Sequence, residues 1–503
     1  MFFSVSLFGL LLSLLFPILC LGQSRGQPNV VIILADDLGY GDLSSYGATR
    51  VTTPHVDRLA SEGRRFTNAY TPSSICSPTR YALMTGRYCW RTSLQREVLP
   101  YSAPLHIETT RMTLASLFKK QGYKSAAIGK WHLGYGTKNP VDWNQPLKPG
   151  PLELGFDYHF AVPSNHGDVT KAFIENYDIV GREPGRPFLV GNRNTVPQGL
   201  AEPRIDDRVN ITLTERAVAF MESHAAKPFF LYFTPVAVHN PVTPNKLFRG
   251  KSQAGLYGDY ILELDWAVGQ VLATLDRLKL TQNTLVIFSS DNGGVVMSVT
   301  GQKSTNDFLL RLEDDAEGAV SAHYRQAQWE AEQAGHKIVG PLRGRKHSIY
   351  EGGFRVPFLV RWPGKVPPGT SSTEIISLTD ITATLAGLLG EKLPDNAAED
   401  SYDIMPALRG KKLSKPIREA VVVHNAEGVF GIRQGDWKLI EARNTPEMRN
   451  NLWKKEGETT QLYNLREDPG ETTNVSARYP EITARLSALL NRYRNQGYSR
   501  LMK

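Results

Sequence analysis

One run of apolar residues, Asn29–Ala35, constrains the fold of this chain more than any other segment. It reads Asn-Val-Val-Ile-Ile-Leu-Ala, with no polar residue after the first. Such a run predicts a strand that is buried on both faces, as in parallel sheets covered by helices. Two carboxylates, Asp36 and Asp37, follow at once. The sequence therefore predicts charged side chains at the carboxyl end of a central strand.

Further strand-like runs alternate with helical patterns along most of the chain. The strand-like runs are Ser125–Ile128, Phe229–Phe233, Thr284–Phe288 and Phe354–Val360. Helical patterns begin at Thr53 and Thr113 and cover Tyr260–Leu278. This alternation predicts an α/β fold, a large and mostly parallel sheet sandwiched between helices.

Polar residues that follow these strands are expected to meet at one edge of the sheet. They are Asp36, Asp37, Lys130, His132, His239, Asp291 and Asn292. Ligands bind beyond the carboxyl ends of the strands in sheets of this kind. The topology therefore predicts that these groups gather, although they are far apart in sequence.

The chain divides into three predicted parts. Residues 1–22 are apolar and predict a secretory signal peptide, hence a secreted or periplasmic protein. This segment lacks Lys and Arg, so an uncleaved anchor is the alternative, and no later stretch predicts a stable membrane span. Residues 23–412 form the large domain, with a charged insertion at about 296–340. Residues 413–503 predict a small α+β domain, with a hairpin over Val429–Ile440 and a terminal helix over Pro480–Tyr493.

Charge and cysteine content restrict the function further. The net charge is +8, but the basic runs are short and scattered, so no nucleic-acid-binding arm is predicted. A basic surface suits an anionic substrate. The three cysteines are Cys20, Cys76 and Cys89. Because secreted proteins often use disulfides, a Cys76–Cys89 bridge is one interpretation of the last two.

The pentapeptide Cys-Ser-Pro-Thr-Arg, at Cys76 to Arg80, predicts a short helix with an anion site at its start. Ser77 suits the N-cap, Pro78 the first helical position and Gly86 the C-terminal cap. Cys76 would then lie where backbone N–H groups and the helix dipole favour negative charge. Arg80 follows one turn later.

Oxygen ligands at two strand ends predict a metal site. Adjacent Asp36 and Asp37 repel each other unless a cation neutralises them. Asp291 and Asn292 add one carboxylate and one amide oxygen. An oxygen-only set suits Ca²⁺ or Mg²⁺ rather than zinc.

The pentapeptide resembles the signature Cys-x-Pro-x-Arg of sulfatases. The chain resembles this family from Asn29 almost to its C-terminus, and it is most similar in character to bacterial members. The family belongs to the alkaline-phosphatase-like superfamily. Further matching motifs, in chain order, are residues 34–39 (LADDLG), 129–134 (GKWHLG), 239–241 (HNP), 290–293 (SDNG), 344–346 (GRK) and 468–471 (DPGE). Ordered motifs in the expected context make a far stronger signal than the pentapeptide alone.

The resemblance implies a modified cysteine and one Ca²⁺. In the family a formylglycine-generating maturation enzyme oxidises the cysteine, here Cys76, to the aldehyde 3-oxoalanine (formylglycine). The hydrated aldehyde attacks sulfur and later expels sulfate, which restores the aldehyde. The implied Ca²⁺ ligands are Asp36, Asp37, Asp291, Asn292 and an oxygen of modified Cys76.

The resemblance also implies roles for the surrounding side chains. Arg80, Lys130 and Lys346 would supply positive charge around the sulfate. Asp291 would be the base for the attack, and His239 would donate a proton to the leaving alcohol. His132 would assist the elimination. A looser match implies that Asn165 and His166 contact the substrate.

The sequence thus predicts a Ca²⁺-dependent sulfuric ester hydrolase that acts on a sulfated carbohydrate or another sulfate ester. One alternative is a phosphate-ester or phosphonate hydrolase of the same fold. The other is a sulfated-glycan binding protein without activity, in which Cys76 stays a thiol.

Overall fold

The computed structural model describes residues 27–191, 197–296, 326–442 and 459–500. The predicted signal peptide and much of the predicted insertion at 296–340 lie outside the described residues. Within the described ranges, the search for a helix of sufficient length and hydropathy to cross a membrane finds none.

A ten-stranded sheet forms the centre of the large domain. Strands up to residue 377 are β1 (Asn29–Ala35), β2 (Arg64–Phe66), β3 (Ala69–Tyr70), β4 (Lys124–Lys130), β5 (Tyr158–Val162), β6 (Ile174–Glu175), β7 (Asp178–Ile179), β8 (Phe229–Thr234), β9 (Thr284–Ser290), β10 (Phe358–Arg361), β11 (Thr370–Ser372) and β12 (Ile376–Ser377). Their order in the large sheet is β11-β2-β10-β9-β1-β8-β4-β5-β6-β7, and β12 pairs with β3 separately.

The centre of this sheet is parallel and its margins are mixed. Strands β9, β1, β8, β4 and β5 run in one direction, whereas β10 and β6 pair antiparallel with their inner neighbours. Strand β1 lies in the middle and is buried along its whole length. The predicted α/β sheet is therefore confirmed, with antiparallel additions at its edges.

Helices cover both faces of the sheet. They are α1 (Pro54–Ser61), α2 (Cys76–Thr85), α3 (Leu114–Lys120), α4 (Val209–Ser223), α5 (Gly255–Arg277), α6 (326–333), α7 (Glu351–Phe354), α8 (Ile381–Leu388), α9 (Met405–Leu408) and α10 (Pro480–Gln496). Alternate residues of β1 supply the two cores: Val30 and Ile32 pack in the core with α2, α3 and α8, while Val31 and Ile33 pack in the core with α1, α4 and α5. Each such buried side chain contributes about 1.5 to 3 kcal/mol.

The register of the central strands fixes the edge where the site forms. Ala35 at the end of β1 pairs with Ser290 at the end of β9. The N–H of Asp291 then donates to the carbonyl of Ala35 at 3.1 Å. Asp36 and Asp291 are thereby held level with each other, 255 positions apart in sequence.

The C-terminal part carries a four-stranded antiparallel sheet and the long helix α10. The strands are β13 (Val421–His424), β14 (Phe430–Gln434), β15 (Trp437–Ile440) and β16 (Gln461–Asn464). The predicted hairpin is β14–β15, which pairs Gln434 with Trp437. Leu486 and Leu490 of α10 pack in one cluster with Tyr88 and Trp90 of the large domain. The core of this part is therefore shared with residues from far earlier in the chain.

Two local predictions were wrong. Helix α2 begins at Cys76 with Ile75 as its N-cap, two residues earlier than the Ser77 and Pro78 pattern predicts. Gly86 is the C-cap, as predicted, with φ +68°. Proline is tolerated anywhere in the first turn, so it marks a helix start only to within a residue or two. The strand predicted over Phe354–Val360 is β10, which starts at Phe358, because Phe354 ends α7 and Pro357 has no N–H for pairing.

Candidate active site

Cys76 is the first residue of α2 and is buried at the carboxyl edge of the sheet. Its Sγ lies 3.8 Å from Oδ1 of Asp36. Cys76 and Cys89 are both free thiols, so the disulfide interpretation is wrong. Burial raises the pKa of the Cys76 thiol to about 12, against the opposing effect of Lys130 and Lys346. The unmodified side chain is therefore a protonated thiol and a weak nucleophile.

Asp36 is fully buried beside Lys130, the last residue of β4. Lys130 Nζ lies 2.9 and 2.8 Å from the two carboxylate oxygens of Asp36. Burial raises the pKa of Asp36 to about 7, because the pull of Lys130 does not fully compensate it and the nearby charge of Asp291 adds to the effect. The raised pKa thus reflects burial first, which Lys130 and Arg80 offset only in part.

Asp37 is held by Lys346 and Asn292. Lys346 Nζ lies 2.7 and 2.8 Å from its two oxygens, and Asn292 Nδ2 donates to Oδ1 at 2.8 Å. Burial alone would raise the pKa of Asp37, but Lys346, His239 and Lys130 outweigh it and hold the pKa below its usual range. The backbone of Asp37 is left-handed, with φ +60°, which turns its carboxylate off the axis of β1.

Asp291 forms a bidentate pair with Arg80 one turn into α2. Arg80 Nε and Nη2 donate to Oδ2 of Asp291 at 2.9 and 2.7 Å, and both side chains are fully buried. Burial would raise the pKa of Asp291, but Arg80 and Lys130 more than offset it and lower the pKa. Arg80 Nη1 also donates to the carbonyl of Lys130 at 2.8 Å. One guanidinium therefore ties α2 to the ends of β9 and β4.

Oxygen donors of Asp36, Asp37 and Asn292 suit a hard divalent cation. Oxygens of Asp36 and Asp37, Cys76 Sγ and a ring nitrogen of His239 all lie within 4.8 Å of one another. Asp291 is not in that tight group, and its Oδ2 is engaged by Arg80. Asn292 Oδ1 is buried and has no hydrogen-bond partner among the described residues. A buried acceptor without a partner, beside crowded carboxylates, is an arrangement that a Ca²⁺ or Mg²⁺ ion satisfies.

Two histidines with defined hydrogen bonds stand beside this group. His132 Nε2 lies 2.9 Å from the carbonyl of Leu99, so this nitrogen carries the proton, and Nδ1 has no partner among the described residues. His239 Nδ1 bonds the carbonyl of Asn240 at 2.6 Å, which leaves Nε2 at 3.7 Å from Oδ2 of Asp37. Burial, then Lys346, lowers the pKa of His239 to about 3. Burial, then Lys130 and Arg80, lowers the pKa of His132 as well.

Asn165 and His166 lie further out. His166 is buried and its Nε2 bonds Thr243 Oγ1 at 2.8 Å. Its pKa is lowered by burial and then by positive charge from Arg204 and Lys171, with smaller effects of His239 and Lys130. His166 Nδ1 and Asn165 Oδ1 have no hydrogen-bond partner among the described residues. These side chains border the site without touching the carboxylates.

The sequence did not reveal Gln328, which belongs to α6 within the predicted insertion. Its Nε2 donates to Oδ1 of Asn240 at 2.9 Å, beside His239. Gln328 is buried and its Oε1 lacks a partner among the described residues. Only the charged, irregular character of the 296–340 segment hinted that it reaches the site. Leu99, whose carbonyl orients His132, carried no signal because any residue offers that group.

Comparisons with protein families identify the chain over most of its length. The family model described as "Sulfatase" matches residues 28–391. A second model, "N-sulphoglucosamine sulphohydrolase, C-terminal", matches residues 345–496.

Individual relatives agree with the family models. The chain is 38% identical to an N-acetylgalactosamine-6-O-sulfatase of Bacteroides thetaiotaomicron, covering 93% of each chain. It is 31% identical to human arylsulfatase A, covering 92% of this chain and 87% of the relative. A solved structure described for the metabolism of multiple glycosaminoglycans by Bacteroides thetaiotaomicron superimposes with a TM-score of 0.80 at 37% identity, over 93% of this chain and 99% of that one.

Proposed function

This chain belongs to the sulfatase family and hydrolyses sulfate esters, and we propose that it does so on a sulfated carbohydrate with a formylglycine made from Cys76 and one Ca²⁺. One observation carries the proposal. Cys76 is buried at the first position of α2, its Sγ lies 3.8 Å from Oδ1 of Asp36, and the charges of Lys130, Lys346 and Arg80 lie near it. The N-acetylgalactosamine-6-O-sulfatase among its relatives makes a 6-sulfated galactosaminide the first substrate to test.

The modification answers a chemical need of this site. A thiol with a pKa of about 12 does not supply a thiolate at neutral pH. A hydrated formylglycine offers two hydroxyl groups on one carbon, so that one can attack and the other can later drive sulfate out. Cys76 is therefore the nucleophile precursor, and a formylglycine-generating enzyme is a required partner in the cell.

Asp36, Asp37, Asp291 and Asn292 would hold the Ca²⁺, together with an oxygen of modified Cys76. Bound there, the ion supplies Lewis acidity and neutralises negative charge beside the nucleophile. Lys130 and Lys346 lie within 2.9 Å of the oxygens of Asp36 and Asp37 and balance their charge, so binding of the ion would require these ammonium groups to move off the carboxylates. The partner-free Oδ1 of Asn292 supports the assignment.

Lys130 and Lys346 provide fixed charge for the sulfate group. Both ammonium groups are buried beside the carboxylates, so any contact with the sulfate would be made in a low-dielectric setting. Arg80 contributes charge and holds Asp291, the proposed base, in a bidentate pair. The low pKa of Asp291 keeps it in the ionised form that a base or a metal ligand requires.

His239 is the proposed proton donor to the leaving alcohol. Its Nδ1 is engaged by the carbonyl of Asn240, so Nε2 is the atom that can serve the substrate. Its low pKa comes from burial, Lys346 and Lys130. A bound sulfate ester is an anion and opposes the two lysines, which raises the pKa of His239 when substrate is present. His132, held by the carbonyl of Leu99, offers Nδ1 as acceptor during elimination, and Asn165 and His166 are proposed substrate contacts.

We further infer a secreted or periplasmic location from the apolar segment 1–22. We also retain the division into a large domain over residues 23–412 and a small domain over 413–503 as a proposal.

The test is sulfate release from a 6-sulfated N-acetylgalactosamine, with the 4-sulfated isomer as comparison. The proposal predicts turnover of the 6-sulfate that Cys76→Ala abolishes. Turnover by Cys76→Ala at the wild-type rate would refute it.

A further inference from the structure

A second site for negative charge lies where the large domain meets the C-terminal sheet. It is a cleft with a volume of about 540 Å³, and none of the residues that line it has a role in the chemistry above. Four arginines and two aromatic side chains dominate its lining: Arg87, Arg91, Arg96, Arg494, Trp90 and Phe430. No Asp or Glu of the described chain is among the lining residues.

Three of the four guanidinium groups are paired with carboxylates before any ligand arrives. Arg91 donates to Asp400 through Nε at 2.9 Å and Nη2 at 2.8 Å, and it lies 4.2 Å above the ring of Trp90. Arg494 pairs with Glu441 and lies 4.2 Å above the ring of Phe430. Arg87 Nε lies 3.2 Å from Glu399 Oε1. The three carboxylates hold the guanidinium groups from outside the lining. Donors fixed in this way bind an anion at a small entropic cost.

Trp90 forms part of the wall beside the arginines. It is 8% exposed, and its ring lies 4.2 Å beneath the guanidinium of Arg91. Arginine side chains can only donate hydrogen bonds. The cleft therefore fits a ligand rich in acceptors and negatively charged, such as a sulfate or carboxylate group.

A short segment connects the cleft to the active site. Gln95 lines the cleft, whereas Leu99 donates from its N–H to Ser77 Oγ at 3.2 Å and accepts from His132. Four residues of fully extended chain span at most about 14 Å. The Cα atoms of Gln95 and Leu99 are thus no further apart than that, a separation that a short oligosaccharide can span.

We propose that this cleft is a subsite for a second anionic group, sulfate or carboxylate, of a polyanionic glycan substrate. The inference rests on the proposed function, since it presumes that the ester at Cys76 belongs to such a glycan. It makes the enzyme more efficient on charged oligosaccharides than on small sulfate esters. Arg96, on the exposed rim, and Arg494, on the wall, contribute to binding without contacting the reacting atoms.

The test compares Arg494→Gln with Arg492→Gln, a matched variant on the same helix. Arg492 pairs with Glu419 but does not line the cleft. kcat/KM is measured on a sulfated glycosaminoglycan tetrasaccharide and on 4-nitrophenyl sulfate. Because hydrogen bonds to charged groups contribute more than neutral ones, Arg494→Gln is expected to lower kcat/KM for the tetrasaccharide about tenfold, through KM, and to leave the small ester unchanged. Arg96→Gln should behave similarly, and Arg492→Gln should change neither substrate.

Equal effects of Arg494→Gln and Arg492→Gln, or equal losses on both substrates, would overturn the subsite. Binding of the tetrasaccharide to Cys76→Ala, measured by calorimetry with and without Arg494→Gln, separates the two proposals. Weaker binding of the tetrasaccharide with Arg494→Gln supports the cleft, whether or not wild type releases sulfate. If wild type releases no sulfate from any ester, the proposed function is overturned but the cleft is not. Unchanged binding overturns the cleft while leaving sulfate release unaffected.

Discussion

Replacement of Lys438 by Met is predicted to destabilise the protein strongly. Lys438 Nζ lies 3.1 Å from Glu351 Oε1 and 2.8 Å from Glu471 Oε1, and all three side chains are buried. Glu471 also accepts the backbone N–H of Glu351 at 2.7 Å. This buried ionic cluster fastens strand β15 to the segment that carries Lys346. Without Lys438, the buried carboxylates of Glu351 and Glu471 would lose the positive charge that lies between them and would repel each other.

The magnitude follows from the burial. Removing one partner of a buried ion pair costs about 3 to 5 kcal/mol, because the remaining charge is left without its partner. An unfolding entropy of about 2 cal/mol/K per residue gives about 1 kcal/mol/K for 503 residues. The expected fall in Tm is therefore about 3 to 5 °C. The raised pKa of Glu471, about 7 from burial even beside Lys438, indicates that this carboxylate is already poorly compensated.

Thermal unfolding measured by circular dichroism at neutral pH provides the assay. The double variant Lys438→Met, Glu471→Gln should recover at least half of the loss, because Glu351 keeps the neighbouring Arg433 and Tyr70. Lys138→Met is the surface control, since solvent screens its exposed pair with Asp142 and the variant should keep the wild-type Tm. A Tm for Lys438→Met within about 1 °C of wild type, or a double variant no more stable than the single one, would refute the reasoning.

Four further predictions address the site and its surroundings. Asp37→Asn should lower activity at least about 100-fold. It should also abolish the rise in Tm that Ca²⁺ gives the wild type, since a ligand stabilises only the form that binds it. A Ca²⁺-dependent rise in the Tm of the variant would contradict this. Cys89→Ala should keep full activity and lose only about 1 to 2 kcal/mol of stability, because Cys89 is a free thiol and not half of a disulfide, as unfolding and activity assays can check. Burial raises the pKa of Asp265 to about 7, so the folded state binds this proton more tightly than the unfolded state does, and the free energy of unfolding falls as pH rises from 3.8 to about 7. The Tm of Asp265→Asn should therefore fall less than the Tm of wild type across that pH range. Equal falls in Tm would contradict the raised pKa of Asp265. An aryl sulfate should be hydrolysed with a higher kcat/KM than the matching aryl phosphate, and a preference for the phosphate would favour the alternative phosphoesterase function.

Local sequence patterns were sufficient to predict the large sheet and the edge where the site forms. The run Asn29–Ala35 is short and rich in β-branched residues, which favours a strand buried on both faces, and its end fixes Asp36 and Asp37. The runs that became β4, β8 and β9 were found for the same reason. Parallel strands bring their carboxyl ends together, so the gathering of Asp291 and Lys130 beside Asp36 follows from topology alone.

Contacts made by irregular segments could not be predicted in this way. Lys346 reaches Asp37 across 309 positions from a loop, and Gln328 reaches Asn240 from α6. No periodicity encodes such contacts, because loop conformation depends on the surfaces that the loop meets. The bidentate pair of Arg80 with Asp291 likewise depended on how α2 packs beneath the sheet edge. The resemblance supplied the residue types, but the partners of each residue came from the structure.

The proposed chemistry of Cys76 requires that its thiol is converted to an aldehyde in active protein. The decisive measurement is the mass of the peptide that spans Cys76, from protein made in its natural host, together with the specific activity of the same sample. We predict a mass that corresponds to an aldehyde in place of the thiol, and specific activity in proportion to the converted fraction. A fully active sample in which Cys76 is an unmodified thiol would contradict the central claim.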